Sequence, residues 1–573
     1  MDTENNHLAE TEEASVAEIS RRDFFKTTAA VAGVAAAATL APNLATEAAA
    51  QAADRSNCQP YPWDLPAAAI PEANIKKTVK VDVLVIGCGI TGTIAALSAK
   101  EQGAGEVQII EKNRVHAARG GHITGFDTDV QRGLKIEQPN YRQIIREWVR
   151  WAQGRVNEDL LWLFARTSGH AFNWTANLLK PKGITAGLWN QYYKGPDYTE
   201  YPVTHMFEDT KTGIRGNEAA VKALVEICQE RGITVNFNTP SVKLERAAKN
   251  GRVTSVVAGR GSNLTRFVVS KGVIIASGDY ASDRAMTDRW CPIVRLADAQ
   301  IYFPNKCNTG DLHKQAFQIG GVMQKTEPHA AVIHLEAGAT SYGFLHVNAL
   351  GKRFKNEDVN TQSKSCSKLF EPKGGVAWTI YDADGLKQVK EQLDMGVSGG
   401  LFYGQMSRLN NEPYDLKEEE ALLKANIEQG KVVTANTLDE LAKKMDVPAA
   451  ELKKTVARYN ELAKMGDDVD YGKRKELLRQ IVKAPFYAGK LAATVLSMSG
   501  GLHTNPRLQV LDKDDQPIEG LYVAGSAAGD FFAADYPTIC AGIGHGRCVT
   551  MGYLAGFMVT GKYNLPGVRQ IDI

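Results

Sequence analysis

The sequence predicts an α/β protein in which a Rossmann-like nucleotide-binding domain is interrupted by a second, α+β domain. Three observations carry this. From Val79 to Glu111 a buried strand, a glycine-rich turn, an apolar helix and a second strand ending in an acid follow in the required order. Between about residues 323 and 487 the texture changes to short mixed strands and charged helices. Apolar strand-like runs then return at Ser499-Gly500-Gly501-Leu502 and Gly520-Leu521-Tyr522-Val523-Ala524-Gly525, so the far end of the chain completes the first domain.

At 573 residues and 44% hydrophobic content the chain has enough material for a large core in two or three lobes. The formal charge is only +2, from 67 basic and 65 acidic residues, so no global field favours nucleic acid or an anionic membrane. The N-terminus reads as an address. Ser20-Arg21-Arg22-Asp23-Phe24-Phe25-Lys26 precedes the mildly apolar Thr27 to Ala41 and an Ala-rich zone, the pattern of twin-arginine export. That apolar run is shorter than the ~20 residues a bilayer-spanning helix needs. Residues 1–50 are therefore expected to be a removed signal and 51–77 a linker, with the mature protein in the periplasm or on the outer face of the cell membrane. The route carries folded proteins, which fits a cofactor inserted before export.

The first ordered element is the strand Val81 to Ile86, leading into Gly87-Cys88-Gly89-Ile90-Thr91-Gly92. Gly87 and Gly89 allow a tight turn and close backbone approach to a pyrophosphate, and Gly92 lets the helix pack on the sheet. The helix N-terminus then faces the phosphates. Glu111 closes the second strand and would accept from the adenosine ribose hydroxyls. Residues 141 to 230 read as mainly helical, with Trp148, Trp151, Leu160, Leu161, Trp162 and Phe164 as a core stripe. Strands are expected at Ile233 to Val242, Val253 to Ala258 and Phe267 to Ala276, and a helix at Leu312 to Ile319 after Asn308-Thr309-Gly310-Asp311. The expected boundaries are 78–322 and 488–573 for the two parts of the first domain and 323–487 for the insert. Eight cysteines are spread thinly with no C-x-x-C, so no zinc ribbon, ferredoxin-type cluster or c-type haem has its usual spacing, and no metal site is expected.

Taken in order, these landmarks resemble the flavoprotein subunits of the fumarate reductase and succinate dehydrogenase family, which includes 3-ketosteroid dehydrogenases, urocanate reductases and cardiac glycoside reductases. The residues that carry the likeness are Gly87 to Gly92 with Glu111-Lys112, Ala276-Ser277-Gly278, Asn308 to Asp311, Gly351-Lys352-Arg353-Phe354 with Asn356-Glu357, Ser499 to Leu502, and Pro517 to Gly525. The resemblance implies an FAD-binding first domain and a capping insert that closes over the flavin. It also implies FAD contacts from Gly87, Gly89, Ile90, Thr91, Gly92, Glu111, Lys112, Ala118, Gly120, Gly121, Val242, Ser277, Gly278, Asp311, Gly525, Ser526, Gly542 and Ile543.

The departures from the family bear on the substrate. Fumarate reductases hold a dicarboxylate with a histidine just before the Gly-Gly and with an arginine beyond the glycine that matches Gly525. Those positions fall at Leu496 and between Tyr536 and Ile539 here, and the position of the proton-donating arginine, just beyond Thr379-Ile380-Tyr381-Asp382, is Leu386. Without cations, desolvating two carboxylates costs several kcal/mol each, so fumarate and succinate are disfavoured. Ketosteroid dehydrogenases place a Tyr-Pro where Tyr536-Pro537 stands. In that branch the tyrosine hydroxyl and a backbone N–H, here that of Cys540, bind the ketone oxygen beside the reacting carbon–carbon bond. His545 and Arg547 follow, facing the flavin or solvent. Cys540 and Cys548 sit among small residues and read as packed hydrophobes.

The expected reaction is reduction of an activated carbon–carbon double bond in a small unsaturated molecule, an enone or enoate. Tyr536 and Cys540 would polarise the carbonyl, and Tyr381, Tyr403, Arg408 or Glu357 would supply the proton. Electrons would come from a membrane-anchored cytochrome or another quinol-linked donor, as in anaerobic respiration. The rival readings are a ketosteroid-type dehydrogenase passing electrons to quinone and a flavin electron shuttle with no small-molecule site.

Overall fold

The computed structural model describes residues 60–189, 195, 199–248, 250–300, 306–336, 343–397, 409–410, 412–533 and 535–565. Residues 1–50, Tyr403 and Arg408 lie outside them. The chain divides into the units Met1–Leu65 and Pro66–Ile573, and the fold below is that of the second.

Its centre is an eight-stranded sheet with the spatial order Gln509–Leu511, Pro517–Val523, Asn263–Ile275, Ile75–Ile86, Val107–Ile110, Thr234–Asn236, while Ser241–Arg246 and Val253–Arg260 extend Asn263–Ile275 as an antiparallel ribbon. Ile75–Ile86 runs parallel to both neighbours, with Val83 opposite Val107 and Ile86 opposite Ile110. Val83, Leu84 and Val85 are wholly buried, which is why the end of this strand, Val83 to Ile86, reads as a continuous apolar run without alternation. Pro517–Val523 pairs in parallel with Asn263–Ile275, so the chain end does complete the sheet.

Two helices cross one another at the cofactor end of the sheet. Ile90–Glu101 is buried on every residue from Ile90 to Ala99, and the C-terminal helix Ile543–Val559 is buried almost throughout. They approach closely because the second helix offers glycines: a Cβ on Gly552 would lie 2.8 Å from the Thr91 carbonyl oxygen, and one on Gly556 2.4 Å from the Ala99 nitrogen. Ser98 Oγ donates to the Tyr553 carbonyl at 2.7 Å and fixes the register between them.

The region 141–230 is less helical than its sequence suggests. Helices Tyr141–Trp151, Glu158–Leu179 and Asn217–Glu230 are joined through strands Ile184–Leu188 and Thr204–Asp209, which pair with Ile123–Thr124 in a small antiparallel sheet. Trp148, Leu160, Leu161 and Phe164 are core residues. The single strand expected from Ile233 to Val242 is split at Asn238, where φ is +54°.

The insert has its own four-stranded antiparallel sheet, Leu345–Asn348, Ala377–Tyr381, Phe486–Lys490, Val432–Ala435, covered by helices Leu438–Met445 and Ala449–Met465 through Leu441, Leu452, Val456 and Tyr459. Phe486–Lys490 carries this sheet past the expected boundary at 487, while Met323, expected inside the insert, still bridges Leu502. Strands Ala331–Glu336 and Ala492–Met498 pair antiparallel as the two connecting legs.

An ion network locks the insert and corrects one expectation. Glu357 is fully buried and is held by Arg353 at 3.0 and 2.8 Å, by the His346 N–H at 3.1 Å and by Lys473 at 3.3 Å. Arg353 also makes two bonds to Asp468, at 3.0 and 2.7 Å. Burial alone would raise the Glu357 carboxyl, but Lys473 and Arg353 outweigh it and hold the group below the usual carboxylate range. Glu357 is thus an ionised structural anchor, unsuited to donate a proton. Removing its charge leaves Lys473 buried without a carboxylate partner among the described residues and Arg353 with Asp468 alone, so Glu357→Gln should destabilise the fold by about 3 to 5 kcal/mol in denaturant titrations. Asp468 is lowered as well. Groups with depressed folded values stabilise above their unfolded pKa and lose that contribution as pH falls through the folded one. The melting-temperature difference between the wild type and Glu357→Gln should therefore stay level near neutrality and shrink only below about pH 4, where the carboxylate's own contribution is lost.

Candidate active site

A cavity opens where the glycine turn, the end of the second strand and the 308–312 turn converge. Of the residues expected to hold a cofactor, Gly87, Gly89, Ile90, Thr91, Glu111, Lys112, Ala118, Ser277, Gly278, Asp311 and Ser526 line it. The turn has no room for a side chain at Gly87 or Gly92. Gly87 has φ +113° and a Cβ there would lie 2.4 Å from the Ala276 carbonyl oxygen; one on Gly92 would lie 1.9 Å from that of Gly87. Glu111 braces the turn, its Oε2 accepting the Cys88 N–H at 2.9 Å and its Oε1 accepting from the Asn113 backbone and side chain. Across the cavity Lys112 Nζ donates to Thr309 Oγ1 and Asp311 Oδ2, both at 2.7 Å. Burial would raise the Asp311 carboxyl, but Lys112 holds it below its ordinary value.

Ser277 Oγ is buried at the cavity with no hydrogen-bond partner. An orphaned hydroxyl, a side-chain-free turn at a helix N-terminus and a braced acid are what a dinucleotide's pyrophosphate and ribose require. The residues present fit such a cofactor.

The other expected contacts shape the cavity from behind. Gly120 and Gly121 pack under His545 and against Gly216, Gly525 (φ +68°) fits against Thr91, and Gly542 (φ +82°) fits against the His122 carbonyl just before Ile543 starts the C-terminal helix. Val242 is a correction. On its strand Ser241 lines the cavity and bonds Gln315, so alternation turns the Val242 side chain outward, where it is exposed. Asn308 and Thr309 also line the cavity. They sit in the quoted Asn308 to Asp311 motif, so position beside Asp311 could have found them. Asn217, Thr239 and Cys307 had no such signal.

Tyr536 is buried on a floor of aromatic rings. Its ring lies 5.1 Å from that of Phe532, and Phe531 and Phe532 pack on Trp148 at 4.8 and 5.7 Å. The Gly544 N–H donates to the Tyr536 hydroxyl oxygen at 2.8 Å, which leaves the phenolic proton to be given elsewhere. Cys540 is fully buried, with its thiol pushed far up by desolvation, and no hydrogen bond among the described residues uses its N–H. Cys548 Sγ lies 3.5 Å from Ser526 Oγ.

Beyond Gly544 on the same helix, His545 lines the cavity and donates from Nδ1 to the His122 carbonyl at 3.1 Å, and burial lowers its pKa to about 4, so it is neutral. Arg547 is 1% exposed. It faces neither solvent nor the cavity, and it places a cation inside the floor that counting positions did not reveal.

One expectation for the insert fails for packing reasons. Tyr381 is stacked between Phe344, at 4.5 Å, and Tyr487, at 5.2 Å, in the core of the insert, and burial pushes its hydroxyl far up. It has no posture for donating a proton to a substrate at the floor. Leu386 belongs to the same cluster, so the position of the family's proton-donating arginine is filled by a core side chain.

The FAD binding domain family matches residues 82–538, and the chain belongs to that family; its cofactor is FAD. A vinyl phenol reductase of Lactiplantibacillus plantarum is 26% identical over 497 residues, covering 80% of this chain and 93% of its own length. A urocanate reductase of Eggerthella lenta is 25% identical, over 84% of this chain and 75% of the relative. The fold is shared with a 3-ketosteroid-Δ4-(5α)-dehydrogenase from Rhodococcus jostii RHA1, at a TM-score of 0.64 and 20% identity, covering 86% of this chain and 99% of that one.

Proposed function

We propose that this FAD-dependent oxidoreductase is an exported reductase of carbon–carbon double bonds conjugated to a carbonyl or an equivalent oxygen. Its electrons would come from a membrane-anchored cytochrome or another quinol-linked donor. The observation that carries the reading is the Tyr536 hydroxyl. It accepts from Gly544 N–H, so its own proton points to a different acceptor, and the Cys540 N–H stands four residues along without a partner among the described residues. Two such donors suit an oxygen that gains negative charge when the adjacent double bond is reduced.

When held by the cavity residues, reduced FAD would be the source of hydride chemistry for the double bond. Tyr536 and Cys540 hold and polarise the oxygen, the aromatic floor excludes water, and the insert supplies the α-carbon proton, for which Tyr403 and Arg408 are the candidates. The reductive direction is supported by the reductases among the relatives, and export by the twin-arginine segment around Arg21-Arg22.

The test is reoxidation of dithionite-reduced holoenzyme by fumarate, urocanate, cinnamates, vinyl phenols, unsaturated lactones and steroid enones. Fast reoxidation by one conjugated class, and not by fumarate, is the expected result; reoxidation by none of them sinks the reductase reading. Steroid-driven bleaching of the oxidised flavin, with quinone as acceptor, would favour the dehydrogenase instead.

A further inference from the structure

Arg547 is a buried cation without an anion. Among the described residues its guanidinium donates only to backbone carbonyls, Ala528 at 3.1 Å and Ser499 at 3.4 Å, and Nε has no partner. The Phe532 and Phe531 rings lie 4.7 and 5.8 Å away. No carboxylate among the described residues comes within ion-pair distance. The acid whose charge reaches it, Asp279, is already taken by Asn308 at 2.6 Å, by the Met498 and Ala281 N–H groups at 3.0 Å and by Arg119 at 3.6 Å. A guanidinium cannot shed its proton to escape this position, and an unpaired buried charge costs several kcal/mol. A site that carries such a cost favours the arrival of negative charge nearby.

The oxygen closest in kind to such a charge is on Tyr536. Both residues pack on Phe532. Burial raises the Tyr536 hydroxyl strongly, while the Gly544 N–H and Arg547 act in the opposite direction. Arg547 is 1% exposed and its guanidinium is turned to the Ala528 and Ser499 carbonyls, a placement that suits action at a distance better than a clamp on a substrate carboxylate. It acts through the field it casts on what Tyr536 holds.

We propose that Arg547 is a positioning residue, a fixed positive charge that favours negative charge on the substrate oxygen bound by Tyr536. The site thereby selects substrates whose reduction passes through an enolate or phenolate, over alkenes with no such oxygen. The proposal rests on Tyr536 being the oxygen-binding group.

Oxidised holoenzyme titrated with 4-cyanophenol as an enolate mimic tests it, read by the phenolate-to-flavin charge-transfer absorbance as a function of pH. In the wild type the bound phenol should ionise ~1 unit or more below the free phenol, since an opposite charge nearby shifts a pKa by that much. Arg547→Gln should erase most of that shift, and Arg547→Lys should keep most of it, with unchanged flavin content in both. A wild type that binds only the neutral phenol overturns the proposal, as does a Gln variant that keeps the full shift. Because the titration involves no turnover, failure of the reductase reading in the reoxidation panel leaves it readable on its own.

Discussion

Gly92→Ala should yield a protein that purifies with little or no flavin. The added Cβ would stand 1.9 Å from the Gly87 carbonyl oxygen, a backbone atom that no rotamer change can move aside. Relief requires the helix Ile90–Glu101 to back away from the turn. Its other side is closed by the C-terminal helix, where the Thr91 carbonyl already lies against Gly552. Overpacking of this kind costs about 1 to 3 kcal/mol when a core can adjust, and here the strain falls on the atoms that receive the pyrophosphate. An FAD affinity lower by about ten- to a hundredfold is expected, read from visible absorbance of the purified protein and from flavin released on dilution. Full flavin content with wild-type affinity would show that the turn does not bear on the phosphates.

Tyr536→Phe should keep its flavin and lose turnover. Losing one preorganised donor to a developing oxyanion lowers kcat by about a hundred- to a thousandfold. The effect should fall on kcat for whichever conjugated substrate reoxidises the wild type, while the rate of flavin reduction by dithionite stays the same. The Gly544 N–H loses its acceptor in this variant, and the ring still fills the floor against Phe532, so a stability change of no more than about 1.5 kcal/mol is expected. Unchanged kcat would remove Tyr536 from the mechanism.

The cofactor side of the molecule was legible because its signals are local. Gly87, Gly89 and Gly92 are set by one turn, and Glu111 is placed by the strand that follows, so order along the chain is nearly order in space. Substrate-side residues depend on which side chains meet across the fold, and there position misleads. Glu357 stands in a recognisable motif, yet Arg353, Asp468 and Lys473 make it an ion-network member. Tyr381 ends a strand as expected, but Phe344 and Tyr487 sandwich it. Val242 was displaced by one residue of strand alternation, with Ser241 taking the inward place. Arg547 shows the limit most plainly. A sequence can display an arginine but cannot display the lack of a carboxylate around it, because that is a property of every chain segment that packs there.

The glycine contacts of Ile543–Val559 on Ile90–Glu101 have a consequence for how the protein is made. The turn and its bracing acid are synthesised early, but the helix that seals them from behind and supplies His545 and Cys548 to the cavity comes from the last stretch of chain. Domains begin to fold from the N-terminus during synthesis, yet this cradle cannot close while Ile543–Val559 is still inside the ribosome. Flavin loading is thereby deferred until Ile543–Val559 has emerged, and a nascent chain arrested before residue 543 should fail to retain FAD.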